Sequence, residues 1–275
     1  MRLPYVPLHL HTEYSLLDGA IRIDDLCKFA KEEEFPAVAI TDHGVMYGDM
    51  ELYTTAKEAG IKPILGCEFY VHNGDIKERD KMNNPCYHLI LLAKDKEGYK
   101  NLIKLTSVAW CEGRYVHPRI NWELIKEHHE GLICLSACLG GEVLQNLLHH
   151  EPEKAREVAR QYKDLFGEDY YIELQDHGLE DQKRTNPELI ELAKELDIEM
   201  VITNDSHYLH KEDADMHDTL LCMNTNSEKD DPNRFHFEGN EFYVKNAEQL
   251  RKSFYWMDED LFGKCIANTV KIADK

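Results

Sequence analysis

Seven short apolar runs, separated by helical or polar stretches, constrain the fold of this chain more than any other feature. They are rich in Val and Ile and lie at Val6–His11, Ala37–Thr41, Pro63–Val71, His88–Ala93, Gly131–Cys138, Tyr170–Gln175 and Met200–Asn204. Most are followed by a pattern of helical periodicity. This order predicts an α/β fold with a largely parallel sheet. Seven candidate strands favour a small closed barrel over an open sheet.

The segments between the strands carry further signals. Glu153–Phe166 has an apolar stripe at three- and four-residue spacing, which predicts a helix. Asn186–Leu196 is expected to be a helix that begins with Pro187 in its first turn. The segment His72–Cys86 is polar, contains Asn-Gly and Asn-Asn-Pro, and lacks a helical stripe. We therefore expect the strands on either side of it to form an antiparallel hairpin.

The chain after about Ser206 departs from this alternation. It predicts a turn at Asp230–Arg234, a strand-like stretch at Glu241–Val244, a helix around Ala247–Phe254 and a last helix with an apolar stripe. This tail is interpreted as a cap or bridge rather than as another unit of the barrel.

Nine side chains that commonly bind metals lie at the ends or starts of six of the seven predicted strands. They are His9, His11, Asp18, His43, Glu68, His88, Cys138, Asp205 and His207. Strand ends in a barrel converge on one mouth, where such folds place their active sites. Nitrogen, oxygen and sulfur ligands gathered at one mouth predict a multinuclear site for a metal such as Zn or Mn.

Each of these residues has a simpler interpretation when it is taken alone. A single His at a strand end is more often a hydrogen-bonded structural residue, a single Cys in an apolar run is usually a core residue, and Asp-His-Gly is a common turn. The combination favours the metal site. Most of the other histidines are interpreted as solvated, or as loop and tail residues. His177 and its neighbour Asp176 end the sixth strand and are alternative candidates for contact with substrate.

The charge balance limits the kinds of partner. The net charge is −20, from 52 acidic and 32 basic residues. Proteins that bind DNA unaided use Lys and Arg to neutralise phosphates, so this balance fits them poorly. Either the carboxylates are concentrated around metal cations, or the grip on nucleic acid lies in another part of a longer protein.

The cysteines and the apolar content bear on the compartment. The eight cysteines are scattered singly with no CxxC pair, which is typical of reduced thiols. No apolar run approaches the ~20 residues that a membrane helix needs. The N-terminus has no signal-peptide core. We expect a cytoplasmic protein with no membrane partner.

Seven segments of the chain occur in a recognisable order: LHLHTEYSLLDGA, AVAITDHGVMYG, GIKPILGCEFYV, YHLILLAKDKEGYKNLIKLTS, GLICLSACLGGE, YYIELQDHG and VITNDSHY. In this order they resemble the blocks of the PHP domain (polymerase and histidinol phosphatase) at the start of bacterial DNA polymerase III alpha subunits. DPNRFHFEGNEFYVKNAEQLRKSF resembles the segment that follows the domain there. The resemblance covers essentially the whole chain.

The resemblance implies a fold and an organisation. The implied fold class is α/β, a distorted (βα)7 barrel with a short C-terminal extension. The barrel would occupy residues 1–210, and residues 211–275 would lead toward an absent polymerase palm. The chain would be a fragment that begins at the natural Met1, and DNA-directed DNA polymerisation would belong to the parent protein.

The resemblance also implies how the nine residues share two to three divalent ions, Zn or Mn, with Mg or Fe as alternatives. The first ion would be bound by His9, His11, Glu68 and Asp205. The second would be bound by Glu68, His88 and Cys138. The third would be bound by Asp18, His43 and His207. Asp18, Glu68 and Asp205 would be the catalytic carboxylates. Small stand-alone PHP phosphatases usually have His where this chain has Asp18 and Cys138, so these two residues favour the polymerase branch.

The implied activity is 3′→5′ removal of terminal nucleotides from DNA, which is proofreading. The implied partners are the primer 3′ end, the remaining polymerase domains, and replisome subunits such as a sliding clamp or an exonuclease subunit. Two alternatives stay open at this point. One is a phosphatase similar to histidinol phosphatase, and the other is a structural module that docks an exonuclease subunit.

Overall fold

The computed structural model describes residues 3–79 and 85–275. Its centre is a curled sheet of seven strands in the order β1-β2-β3-β5-β6-β7, with β4 paired to β2. The strands are β1 (Ala37–Ile40), β2 (Lys62–His72), β3 (Cys86–Ala93), β4 (Arg119–Ile120), β5 (Leu132–Leu135), β6 (Tyr170–Leu174) and β7 (Glu199–Ile202). The predicted α/β class is confirmed. The short strand β4 was not predicted.

The first predicted strand is an extended segment that joins the two ends of the sheet. On one side, the N–H of Ala39 donates to Pro7 O at 3.0 Å. On the other side, the N–H of His11 donates to Ser206 O at 2.8 Å. The segment is not a regular strand because Pro7 has no N–H and the N–H of Leu10 donates to the side chain of Thr41 instead. The barrel therefore closes through a few bonds rather than a full ladder.

The predicted hairpin is confirmed. β2 and β3 are antiparallel, with Tyr70 opposite His88 and Glu68 opposite Ile90. β3 is also antiparallel to β5, whereas the pairs β1–β2, β5–β6 and β6–β7 are parallel. Residues 80–84 of the predicted polar connection lie outside the described residues.

The two faces of the sheet bury different clusters. Alternate strand residues form an apolar cluster inside the curl, which includes Ala39, Ile64, Ile90, Leu135, Tyr171 and Val201. Ile272 and Ala273 of the last helix belong to the same cluster. The other face packs on the surrounding helices in a larger cluster. Glu68 and His88 continue the inner face, so they point into the mouth above the apolar layer.

Ten α-helices and two short 3-10 helices surround the sheet in the described ranges. The α-helices are α1 (Ile23–Glu32), α2 (Asp49–Ala59), α3 (Lys96–Cys111), α4 (Trp122–Glu127), α5 (Glu142–Leu148), α6 (Pro152–Phe166), α7 (Glu180–Glu195), α8 (Ala214–Thr225), α9 (Ala247–Ser253) and α10 (Glu259–Asp274). The 3-10 helices are Gly167–Asp169 and Lys211–Asp213. The predicted helix at Glu153–Phe166 is confirmed as α6. No helix of the described chain has both the length and the apolar character to cross a membrane.

The predicted start of the helix at Asn186 is wrong. α7 begins at Glu180, and Pro187 lies inside it. Tertiary bonds hold the two earlier turns. Gln182 accepts from the N–H of His177 at 2.8 Å, and Asn186 donates to Gln175 O at 3.0 Å. These buried contacts stabilise the turns before Pro187, so the helix begins earlier and the proline does not lie in its usual place in the first turn.

The tail matches its prediction in part. Turns lie within residues 229–234, and the two helices near the end are α9 and α10. The predicted strand Glu241–Val244 is wrong, because only a single bridge joins Tyr243 to Tyr208 there. The division of the chain at residue 210 stays a prediction.

Candidate metal centre

The structure brings all nine predicted ligands together at the mouth of the barrel. They lie in five short parts of the chain: the segment before β1, the loop after it, the hairpin of β2 and β3, the turn after β5 and the turn after β7. Three overlapping groups can be distinguished within the cluster.

The first group is centred on Asp205. Its Oδ1 lies 3.1 Å from Nε2 of His9 and 3.1 Å from Nε2 of His11. Oε1 of Glu68 lies 3.3 Å from the same nitrogen of His9. All four side chains are buried. Asp205 has a φ of 43°, a left-handed conformation that is uncommon outside glycine and that directs its carboxylate into the group.

The second group shares Glu68 with the first. Oε1 of Glu68 is 3.0 Å from Nδ1 of His88. Sγ of Cys138 is 3.5 Å from that nitrogen and 3.9 Å from the same carboxylate oxygen. The turn after Cys138 passes so close to His88 that a Cβ on Gly140 would lie 2.9 Å from its ring, which explains the glycine.

The third group surrounds Asp18. Its Oδ2 lies 2.7 Å from Nε2 of His43 and 3.3 Å from Nε2 of His207. His43 also contacts Glu68 through Nδ1. The ring of His11 stacks on that of His43 with centroids 4.0 Å apart, so the third group borders the first.

A layer of polar residues beneath the cluster orients the histidines. Nδ1 of His9 donates to Glu173 at 3.0 Å, and Thr203 donates to the same oxygen at 2.6 Å. Nδ1 of His207 donates to the backbone oxygen of Asp205 at 2.8 Å. Such bonds fix the imidazole tautomer and leave the other nitrogen for a metal. Glu173 was not among the predicted site residues. Its signal was a charged residue in the middle of the apolar strand YYIEL.

His217 is a second site residue that was not predicted. It was interpreted as a tail residue, but it is buried on α8, and its Nε2 donates to the backbone oxygen of Asp18 at 2.8 Å. The tail thus holds one side of the third group in place.

The buried polar atoms of the cluster fit a cation. When Nδ1 of His9 carries the proton that Glu173 accepts, the buried Nε2 has no donor, because its neighbours are carboxylate oxygens of Asp205 at 3.1 Å and Glu68 at 3.3 Å. Leaving a buried polar atom unsatisfied costs about 1–3 kcal/mol. A cation between His9, Asp205 and Glu68 would satisfy it. The mixture of nitrogen, carboxylate and thiol donors suits divalent transition metals.

Electrostatics prepare four of the nine ligands to bind metal, namely His11, Asp18, Glu68 and Asp205, whereas neighbouring carboxylates raise the pKa of His9, His43 and His207 against the effect of burial. Burial would raise the pKa of Glu68, but the charges of His88 and His43 hold that pKa well below its usual range. Burial and the charge of His43 lower the pKa of His11 to about 3, so its imidazole is neutral. Burial and the neighbouring carboxylates raise the pKa of the Cys138 thiol well above its usual range. A thiolate at Cys138 therefore needs a cation beside it.

The alternative candidates lie outside the nine-residue cluster. The ring of His177 stacks on Phe242 with centroids 3.9 Å apart, and its Nε2 donates to Asn204 O at 2.8 Å. Asp176 accepts from the indole N–H of Trp256 at 2.7 Å. Both residues line a separate cavity of about 610 Å³ rather than the two that open from the cluster.

Two cavities open from the cluster. One, of about 750 Å³, has a wall of phenylalanines at 235, 237 and 242 and a rim with Glu180, Asp181 and Glu238. The other, of about 560 Å³, has a wall of tyrosines, Trp110 and His117. Both include Asp18, His43 and His88 in their lining. A bound molecule could therefore reach the cluster from either side.

Comparisons with known proteins place these features in a family. The PHP domain family model matches residues 7–177. The DNA polymerase III subunit alpha of Borreliella burgdorferi is 43% identical over 98% of this chain and 23% of its own length. That of Deinococcus radiodurans is 47% identical over 90% of this chain and 19% of its own length. The chain thus spans about a fifth of the length of these relatives.

A comparison of structures finds a more distant likeness. An amidohydrolase from Chromobacterium violaceum matches with a TM-score of 0.45 and 17% identity, over 74% of this chain and 87% of that one. This likeness is too low to bear on function.

Proposed function

The chain belongs to the PHP domain family, and from this premise we propose that its nine-residue cluster binds divalent metal ions and hydrolyses phosphate esters of DNA. The observation that carries the proposal is the overlap of three ligand groups around Glu68. One of its oxygens faces both His9 and His88, so this carboxylate is placed to bridge two ions. Two to three ions are expected, Zn or Mn, with Mg or Fe as alternatives.

The proposed division of the ligands follows the three groups. One ion would be bound by His9, His11, Glu68 and Asp205, the next by Glu68, His88 and Cys138, and the third by Asp18, His43 and His207. When bound, such ions lower the pKa of coordinated water and neutralise charge on a phosphate. The carboxylates Asp18, Glu68 and Asp205 are the proposed catalytic residues, because their negative charge would retain the ions during the reaction. No side chain needs to act as the nucleophile.

The proposed substrate is the 3′ end of a DNA strand, from which terminal nucleotides are removed. The similarity to DNA polymerase III alpha subunits supports this choice, because a proofreading activity would act beside a polymerase. Polymerisation, contacts with other polymerase domains, a sliding clamp or an exonuclease subunit, and a cytoplasmic location are proposals of the same kind. We also propose that residues 1–210 form the barrel and residues 211–275 its extension.

The test is hydrolysis of a primed DNA with a mismatched 3′ end by the purified, metal-reconstituted chain. Asp205→Asn keeps the shape of the ligand and removes its charge, so it should abolish release of the terminal nucleotide. Asp274→Asn, which changes an exposed carboxylate on α10, is the matched control and should keep the activity. A parent chain that releases no nucleotide but hydrolyses a small phosphate monoester would favour the phosphatase alternative.

A further inference from the structure

The cavity of about 560 Å³ beside the metal centre is lined by aromatic side chains that no ligand role explains. Tyr47 and Trp110 stand at its opening, with exposed fractions of 61% and 36%. Tyr70 lies deeper, between the opening and the cluster, and its ring is stacked on that of His117 with centroids 4.3 Å apart. Exposed apolar side chains that cluster around a cavity often mark a binding site.

These aromatic side chains lie next to the proposed metal ligands. The ring centroid of Tyr70 lies 5.3 Å from that of His88 and 6.0 Å from that of His43. Trp110 is fixed by its indole N–H, which donates to Gly44 O at 2.7 Å, next to His43 in the chain. A molecule with its phosphate at the cluster would therefore place a neighbouring group of its own between these rings.

The loop that carries His117 is held in a costly conformation. Val116 has a φ of 63°, which is unusual for a β-branched residue, and its side chain is exposed. Two backbone bonds between Tyr115 and His117, of 3.0 and 2.8 Å, close the turn around it. Strain of this kind is concentrated at functional sites, where it positions particular side chains. Here it positions His117 on Tyr70.

Charge distinguishes this cavity from the other one. Among the described residues, its lining contains a single carboxylate, Asp18, whereas the lining of the 750 Å³ cavity also includes Glu180, Asp181, Asp205 and Glu238. A strand of nucleic acid would be repelled from the acidic rim. At the opening of the aromatic cavity, the guanidinium of Arg114 lies over the ring of Trp110 at 5.4 Å. Arg114 forms no ion pair with a carboxylate in residues 3–79 and 85–275, so it is available to a phosphate.

From these observations we infer that the aromatic cavity is a nucleobase site, in which the base of an unpaired 3′-terminal nucleotide stacks between Tyr47 and Trp110. Stacking on aromatic side chains is how proteins bind single strands without regard to sequence. Arg114 would contact a phosphate farther along the strand. The inference rests on the proposed function, since it assumes that the scissile phosphate lies at the cluster. It adds that the substrate is an unpaired end, because a base within a duplex cannot enter the cavity.

Binding rather than hydrolysis tests this site most directly. The probe is a 5′-labelled deoxypentanucleotide with a phosphorothioate at its last linkage, ending either in thymidine or in an abasic residue. Fluorescence anisotropy with the metal-reconstituted chain should show binding of the thymidine end about tenfold tighter than the abasic end. Trp110→Leu and Tyr47→Leu should each remove most of this preference.

Two other exposed aromatic residues provide matched controls. Trp256 has the same exposed fraction as Trp110, 36%, and its indole N–H also donates at 2.7 Å, to Asp176. Tyr255 has an exposed fraction of 78% and lies next to it. Trp256→Leu and Tyr255→Leu should keep the preference. Trp110→Leu removes a hydrogen bond and could disturb the fold. Tyr47→Leu tests the same site without that loss, because no described hydrogen bond involves the Tyr47 side chain.

The outcomes separate this inference from the proposed function. Equal binding of the two ends by the parent chain, or an unchanged preference in both Trp110→Leu and Tyr47→Leu, would overturn the nucleobase site. Loss of the preference in the control variants would overturn it too. If the preference holds but the metal-loaded chain does not hydrolyse an unmodified strand, the nucleobase site stands and the proposed hydrolytic function is wrong.

Discussion

Glu173 offers the sharpest test of how the barrel supports its metal centre. This buried carboxylate accepts from Nδ1 of His9 at 3.0 Å and from Thr203 at 2.6 Å. Glu173→Gln keeps the size of the side chain and one acceptor oxygen, but removes the charge. Hydrogen bonds to charged groups contribute about 1.5–3 kcal/mol and neutral ones about 0.5–1.5 kcal/mol, so the change should cost about 1.4 kcal/mol. If that loss falls on the bound ion, affinity drops about tenfold.

The assay is competition for the metal between the protein and a chelator of known affinity. Glu191→Gln is the control, because Glu191 is an exposed residue of α7 that pairs only with Lys194 among its described neighbours. The control should bind metal like the parent chain. If Glu173→Gln also binds like the parent, Glu173 does not orient His9 for a metal, and its burial has a purely structural cause.

Three further predictions concern the metal ions, the carboxylate ligands and the net charge of the chain. Removing metal with a chelator should lower the melting temperature by about 5–10 °C when the ion had been present at about 100 times its Kd, because ions bind only the folded cluster. An unchanged melting temperature in calorimetry would contradict this. Asp18→Asn and Asp205→Asn should each reduce nucleotide release to about one hundredth or less of the parent rate while circular dichroism stays the same, and parent-like rates in both would refute the role of these carboxylates. With 52 acidic and 32 basic residues, the chain alone should bind DNA weakly and lose binding as salt rises. A full-length polymerase relative at equal metal content should bind DNA more tightly. Equal affinities in a filter-binding assay would show that this chain has a DNA-binding surface that its net charge does not reveal.

The parts of the fold that the sequence predicted are those with strong periodic signals. The strands with continuous apolar runs, the stripe of α6 and the hairpin between β2 and β3 were all recognisable, because burial on both faces or on one stripe leaves a regular pattern. The errors arose where tertiary contacts decide. The first segment closes the barrel through a few hydrogen bonds, because Pro7 has no N–H and Leu10 donates to the side chain of Thr41. Buried polar contacts, such as that of Asn186 with Gln175, start α7 before Pro187.

The same distinction applies to the candidate site. The nine ligand-type residues were recognisable because they interrupt or end apolar strands at positions that converge. The side chains that hold them were not. Glu173 becomes significant only when β6 brings it beneath His9, and His217 only when α8 folds back onto Asp18. The aromatic cavity is assembled from loops that are distant in sequence, so no local pattern announced it.

The central claim is that the nine residues at the barrel mouth form a multinuclear metal centre. Anomalous diffraction from crystals of the manganese-reconstituted chain tests it most directly, because it locates each ion relative to its ligands. We expect two or three peaks at the mouth, two of them on either side of Glu68 and the third between Asp18, His43 and His207. A map with no peak among these residues, or with ions only at the surface, would contradict the account.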